Sequence, residues 1–151
     1  MRRAEIHSEI EIDAPPARVW EVLTDFRGHS RWNPFLREIQ GAPRAGERLS
    51  VTAELPGRPR IVFRTRVVSA DPAGELTWTR RYVMPGLLDS EHSFVVAPSR
   101  SGEGSLLIQH ESFGGLLLPA FDEAMQSEVH RAFGAMNAAL KREAEAALVT
   151  A

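Results

Sequence analysis

The chain contains no cysteine, which excludes a disulfide framework, a thiolate nucleophile and any zinc site built on thiolates. It has no apolar run near the roughly 20 residues that a membrane-crossing helix requires. Charge of one sign is missing as well. Its 18 basic residues are scattered among 20 acidic ones for a formal net charge of -2, so no field draws nucleic acid or an anionic membrane. Chemistry-bearing motifs are equally scarce. The five histidines, His7, His29, His92, His110 and His130, form no His-Glu-x-x-His or other close metal-ligand spacing, although His92 and His110 could meet across adjacent strands. Gly102-Glu103-Gly104 lacks the third glycine and the following helix of a dinucleotide fingerprint. There is no Gly-x-Ser-x-Gly elbow and no phosphate-cradling loop ending in Lys-Ser or Lys-Thr. The expectation is therefore no metal, no cofactor and no nucleic-acid partner. Met1-Arg2-Arg3 is basic, but the stretch after it is polar and alternating, unlike the apolar core of a secretory signal. Integral membrane association is not expected, and the expected location is cytoplasmic.

What is present reads as one soluble domain over residues 1–151, since 43% hydrophobic and 25% charged residues suit a chain of this length with one core. Glu5 to Asp13 alternates, with Ile6, Ser8, Ile10 and Ile12 on one face, as in a strand wet on the other side. Pro15 and Pro16 stop it, because a proline restricts its predecessor to extended geometry yet fits the first turn of a helix. A short helix from about Pro16 to Phe26 follows, capped near Asp13 or Ala14, with Val19, Trp20, Val22, Leu23 and Phe26 forming an apolar stripe. Gly28 and Asn33-Pro34 bracket a short turn containing Trp32. Trp20 and Trp32 read as packing anchors.

Further strands are expected at Phe35 to Ile39, Glu47 to Leu55, Arg60 to Ser69, Glu75 to Tyr82, Leu88 to Ala97 and Ser105 to Phe113, separated by Gly- and Pro-rich turns. Short connections favour an antiparallel meander. Arg64 and Arg66 alternate with Phe63, Thr65 and Val67 and read as a solvated face. From Pro119 to about Leu148 the apolar spacing becomes three and four, through Phe121, Met125, Val129, Phe133, Met136, Leu140, Ala144 and Ala147. That is one long helix, about 45 Å if all 30 residues are helical. The fold class is α+β: a curved antiparallel sheet of about seven strands around a long C-terminal helix, with two short helices after the first strand. Thr150-Ala151 reads as a frayed end.

Several segments carry a resemblance to a known group. They are Ile12-Asp13-Ala14-Pro15, Val19-Trp20-x-x-Leu23-x-Asp25-Phe26, Trp32-Asn33-Pro34-Phe35, Glu91-His92-Ser93-Phe94, His110-Glu111-Ser112-Phe113-Gly114-Gly115-Leu116-Leu117 and the closing helix. Together they resemble the START-like or SRPBCC superfamily, which includes polyketide cyclases and dehydratases, pollen-allergen-type carriers and lipid-transfer domains. The resemblance implies a helix-grip fold with an apolar cavity between sheet and helix. It identifies a fold better than a reaction.

Strand parity nominates the lining of such a cavity. Arg80 and Tyr82 share a face with Leu76 and Trp78, and His92 shares one with Leu88, Phe94 and Val96. The last strand is ambiguous, because Leu106, Ile108 and His110 compete with Leu107, Gln109, Glu111 and Phe113; the resemblance favours Glu111 inward. The candidate ligand-binding residues are Phe63, Trp78, Arg80, Tyr82, His92, Phe94 and Glu111 from the strands, with Phe121, Met125, Val129, Phe133 and Met136 from the helix. For each apolar member ordinary core packing is the more common role, and only the resemblance points to a cavity. Arg80, His92 and Glu111 are the candidates for catalysis, or for satisfying one another as buried polar groups.

Three functions are compatible with this reading. The first is binding of a hydrophobic or aromatic small molecule, lipid-, polyketide- or isoprenoid-like, by a monomer or homodimer, with Phe113 to Leu118 as a mobile entrance. The second is a cyclase- or dehydratase-like enzyme in which Arg80 and Tyr82 orient an oxygen while His92 or Glu111 moves a proton. The third is an interaction module of the chaperone co-activator type, which requires a filled interior and an exposed apolar patch.

Overall fold

The computed structural model describes residues 3–72, 74–82 and 86–149, apart from the side chains of Tyr82 and of residues 147–149. Thr150-Ala151, Met84 and Pro85 lie outside that range. Seven strands make one antiparallel sheet: β1 (Ala4–Ile12), β2 (Leu36–Gln40), β3 (Arg48–Ala53), β4 (Ile61–Asp71), β5 (Glu75–Tyr82), β6 (Leu88–Pro98) and β7 (Ser105–Gly114). Their order across the sheet is β1-β7-β6-β5-β4-β3-β2. Consecutive strands are neighbours from β2 to β7, as short turns demand, and β1 closes on the last strand. The chain must therefore cross from one edge of the sheet to the other between β1 and β2. The two short helices α1 (Pro16–Thr24) and α2 (His29–Trp32) occupy that crossing.

The first helix is capped one residue later than the sequence suggests. Pro15 is the N-cap, with an extended backbone and no side-chain cap, and Pro16 begins the helix, where its missing N–H costs nothing. Helix α1 also ends two residues early, at Thr24, because Asp25 leaves helical geometry and a single 3-10 turn over Phe26–Gly28 intervenes. The expected stripe holds: Val19, Val22, Leu23 and Phe26 are buried, and Trp20 and Trp32 pack half-buried against the core.

The long helix α3 spans Glu123–Val149, 27 residues, or about 40 Å. It starts four residues after Pro119 because Asp122 caps it: its Oδ1 accepts a hydrogen bond from the Met125 amide at 2.9 Å. Pro119 sits in a separate 3-10 turn, Leu118–Ala120. Against the sheet, α3 packs mainly on β1, with α1 along its other flank. It is tied to β1 by hydrogen bonds from the Asp13 amide to Glu145 and from Asn137 to Ser8. Register shifts interrupt β2 between Leu36 and Glu38 and β4 between Val67 and Ser69, and such irregularities bend a sheet and increase its twist. The sheet curls into a half-barrel around α3. Because the helix is held to the β1 and β7 side, the curl leaves space over β3, β4 and β5.

One turn shows how closely the strands approach. Gly74 closes β4 to β5 at φ +131, and a Cβ there would stand 2.1 Å from the Val96 carbonyl oxygen. Its own carbonyl accepts a bond from the Val96 amide at 2.7 Å. Gly74→Ala is expected to lower stability by more than the roughly 1–2 kcal/mol of a left-handed backbone alone, as a urea midpoint would show.

Candidate functional site

The space left by α3 is a partly enclosed cavity of about 220 Å³. Strand register builds its wall. Trp78, His92, Glu111 and Ile6 lie opposite one another in a single row across β5, β6, β7 and β1. Alternation points all four the same way, and all four are buried. This settles the parity of β7: Ser105, Leu107, Gln109, Glu111 and Phe113 face inward, while Leu106, Ile108 and His110 face out and stay half-exposed. His92 and His110 therefore do not meet. They sit on opposite faces, and His110 packs edge-on against its cross-strand partner His7 at 6.2 Å.

Among the sequence candidates, Phe63, Trp78, Arg80, His92 and Glu111 line the cavity from the sheet, and Phe121, Met125 and Val129 line it from the α3 end. Phe94, Phe133 and Met136 do not reach the wall. Each is fully buried beneath it, because the contact between α3 and the sheet is tight at that depth and opens only towards Met125. The Tyr82 side chain lies outside the described residues. Lining residues not among the sequence candidates are Phe35 just before β2 and Leu36 at its start, Ala53 at the end of β3, Leu55, Arg58 and Pro59 in the β3–β4 connection, Ile61 at the start of β4, and Leu88 and Phe113, whose strand faces the sequence had already grouped with His92 and Glu111. Most lie in or beside loops, where no periodicity marks a facing side. At the mouth, Arg58 reaches across to α3 and pairs with Glu128 at 2.8 Å. The Phe113 to Leu118 segment is tied to the β5–β6 connection by bonds from the Leu116 and Leu117 amides to the Gly86 and Leu87 carbonyls.

Three polar groups enter this apolar space. Arg80 lays its guanidinium over the Phe63 ring, 3.8 Å from the centroid, a cation–π geometry. The residue as a whole is half-buried but its Nε has no solvent contact. Burial lowers its pKa to about 10, with the Glu111 charge opposing the fall, so it stays a cation at neutral pH. His92 is clamped between rings: Phe94 stacks on it at 4.3 Å and Phe133 at 4.8 Å, while Trp78 meets it edge-on at 5.6 Å. Its Nδ1 stands 3.7 Å from Glu111 Oε1, and its Nε2 lies 3.0 Å from Gln109 Oε1. Burial holds the His92 pKa below its ordinary value, against the pull of Glu111. A cation, an imidazole and a carboxyl group around one apolar hollow can orient an oxygen and give or accept a proton.

The sequence profile of the family described as polyketide cyclase/dehydrase and lipid transport matches residues 3–145. The chain belongs to that family. Solved structures agree on the fold at low identity. The Zhui aromatase/cyclase from Streptomyces sp. R1128 is 18% identical with a TM-score of 0.76, over 95% of this chain and 94% of that one. The protein TTHA0849 from Thermus thermophilus is 17% identical with a TM-score of 0.75, over 95% and 99% of the two chains. Truncated norcoclaurine synthase from Thalictrum flavum is 14% identical with a TM-score of 0.69, over 93% and 92%. No curated protein is similar enough in sequence to match. The family's helix-grip architecture is that of the half-barrel and α3 described above. Among the described residues, no group of histidine and acidic side chains is arranged to hold a metal, and no helix is long and apolar enough to cross a membrane.

The Trp32-Asn33-Pro34-Phe35 segment has a structural role here. Asn33 Oδ1 accepts from the Phe35 and Leu36 amides at 2.9 and 3.0 Å, and its Nδ2 donates to His29 Nδ1 at 3.0 Å. His29 Nε2 donates in turn to the Leu23 carbonyl at 2.7 Å. One buried pair thus ends α1, shapes the bend and starts β2, which delivers Phe35 and Leu36 to the cavity wall.

Proposed function

We propose that the protein binds a small hydrophobic or aromatic molecule bearing at least one oxygen in the cavity between the sheet and α3. The observation that carries this is the convergence of Arg80, His92 and Glu111 on a hollow whose other walls, apart from Arg58 at the mouth, are apolar, the usual composition of a small-molecule site. A volume of about 220 Å³ lies below the roughly 300–1,000 Å³ of sites for drug-sized ligands and above the ~150 Å³ that admits benzene. A ligand of one or two rings fits it. A hollow interior favours binding over the interaction-module reading, which needs that space filled.

The test uses 2-naphthol, a two-ring phenol, followed by calorimetry and by fluorescence. Binding is expected, and Met125→Trp, which fills the hollow from α3, is expected to weaken it about tenfold or more, equivalent to ~1.4 kcal/mol, while the protein stays folded. Absence of binding by both 2-naphthol and phenol, or equal binding by Met125→Trp, would count against the cavity as a ligand site. Native mass spectrometry of protein from its own host would identify a retained molecule.

The approach of His92 Nδ1 to Glu111 Oε1 favours a second reading, in which the same cavity performs acid–base chemistry as in a cyclase or dehydratase. His92→Ala and Glu111→Gln should then abolish turnover of a confirmed substrate with little change in its affinity. Unchanged turnover would remove this reading and leave the first intact.

A further inference from the structure

Gln109 and Asn137 are fully buried polar side chains that take no part in the cavity wall, yet they form a line of hydrogen bonds ending at His92. Asn137 Nδ2 donates to Ser8 Oγ at 3.1 Å, which turns Asn137 Oδ1 towards Gln109 Nε2 at 2.7 Å. Gln109 Oε1 then faces His92 Nε2 at 3.0 Å. The direction of this line is fixed at one point. The Phe133 carbonyl lies 3.5 Å from the Gln109 amide nitrogen, and a carbonyl only accepts. Turning the amide over would set two oxygens against each other there. With the nitrogen on the α3 side, Oε1 must face β6, and the His92 nitrogen opposite it must carry the proton.

From this we infer that Gln109 is a positioning residue: it holds neutral His92 as the Nε2–H tautomer and leaves Nδ1, beside Glu111, as the proton-accepting atom of the site. The role is not one that Glu111 would produce alone. An ionised carboxylate accepts and cannot donate, so Glu111 by itself favours a proton on Nδ1. Gln109 opposes that preference and keeps a lone pair where a bound hydroxyl or acidic C–H would present its proton. The sheet register makes the arrangement rigid. Ser8, Gln109 and Phe94 form one row across β1, β7 and β6, next to the row of Glu111 and His92, and the stacked Phe94 and Phe133 rings hold the imidazole plane. The other titratable groups acting on His92 are Arg80 and His110, neither of which offers Nε2 an acceptor.

The functional meaning rests on the cavity being a ligand site, but the tautomer is a property of the ligand-free protein and is measured without a ligand. In long-range proton–nitrogen correlation spectra of histidine-labelled protein at neutral pH, His92 is expected to show a protonated Nε2 and an unprotonated Nδ1. Gln109→Met, similar in length but with no oxygen, is expected to lose that pattern in favour of Nδ1–H, whereas Gln109→Glu keeps an acceptor and retains it. An Nδ1–H tautomer in the unaltered protein overturns the inference, and so does a folded Gln109→Met protein with unchanged His92 signals. If Gln109→Met does not fold, Nε2–H in both the unaltered protein and Gln109→Glu supports it, and its loss in either overturns it. Failure of both 2-naphthol and phenol to bind would count against the ligand reading and leave the tautomer result standing.

Discussion

Acidification from pH 6.5 to pH 4 is expected to remove about 3 kcal/mol of folding stability through His29 alone. Burial lowers its pKa from 6.5 to about 4, with the bond to Leu23 and the charge of Asp25 opposing. The geometry explains why a proton is refused. Nε2 already donates to the Leu23 carbonyl, and Nδ1 accepts from Asn33 Nδ2, so a proton on Nδ1 would face another donor. Asn33 cannot turn over to help, because its oxygen holds two backbone amides. A histidine depressed in the folded state takes up its proton first in the unfolded chain. Well above pH 6.5 it is neutral in both states and has no effect; as the pH falls through 6.5 the unfolded state gains, until the folded ring also titrates near pH 4. His92, lowered by its own burial, adds to the loss with the same sign. Urea unfolding at steps of pH should show the decline, with a flatter dependence in His29→Gln. A His29 imidazole titrating near 6.5 in the folded protein would contradict the account.

The same residues show what could be read before any coordinates. Alternation and the turns between them located the seven strands, because most have one wetter and one buried side, and the change to a spacing of three and four marked α3. Where both sides of a strand are covered, alternation fails. On β7 the outward Leu106 and Ile108 are themselves only half-exposed, so both phases look apolar, and only pairing with β6 decides. Helix ends moved where a local bond competed: Asp122 set the start of α3, and Asp25 broke α1 before Phe26. In the site, Glu111 was singled out by the family resemblance, and Arg80 and His92 were legible as polar residues in apolar company. Gln109 carried the same signal, in phase with Glu111, and Asn137 stands among Phe133, Met136 and Leu140 on the apolar stripe of α3. A glutamine and an asparagine have no chemistry of their own to draw attention, so their place became visible only through their bonds. His29 was hidden because the signature beginning at Trp32 reads as a turn, whereas its polar partner lies one helical turn upstream. Depth was illegible altogether. A stripe from Phe121 to Met136 does not say where helix and sheet touch and where they part.

Phe133→Ala is expected to cost about 3–5 kcal/mol, the range for removing a buried aromatic ring from a packed core. Phe133 is fully buried, lies 4.8 Å from His92 in a near-parallel stack and 5.8 Å from Phe35. It joins the part of α3 that is sealed against the sheet to the part that opens. Against a total stability of roughly 5–15 kcal/mol for a domain, the loss is large enough to read directly from a shift in urea midpoint at constant slope. Two effects should accompany it. The void left by the ring lies next to Phe35, which lines the cavity, so the hollow should deepen and accept larger rings than 2-naphthol. His92 would lose one of its two stacking partners, and its ring, no longer clamped, should report motion in the same nitrogen spectra. Phe133→Leu, which keeps most of the volume but not the flat face, should cost less than the alanine variant while still loosening His92. A loss below about 1 kcal/mol for Phe133→Ala, with His92 signals unchanged, would mean that neighbouring side chains close the gap freely. In that case the boundary between packed core and open cavity is not set by this residue, and the rigidity ascribed to the His92 site must come from Phe94, Trp78 and the Gln109 line.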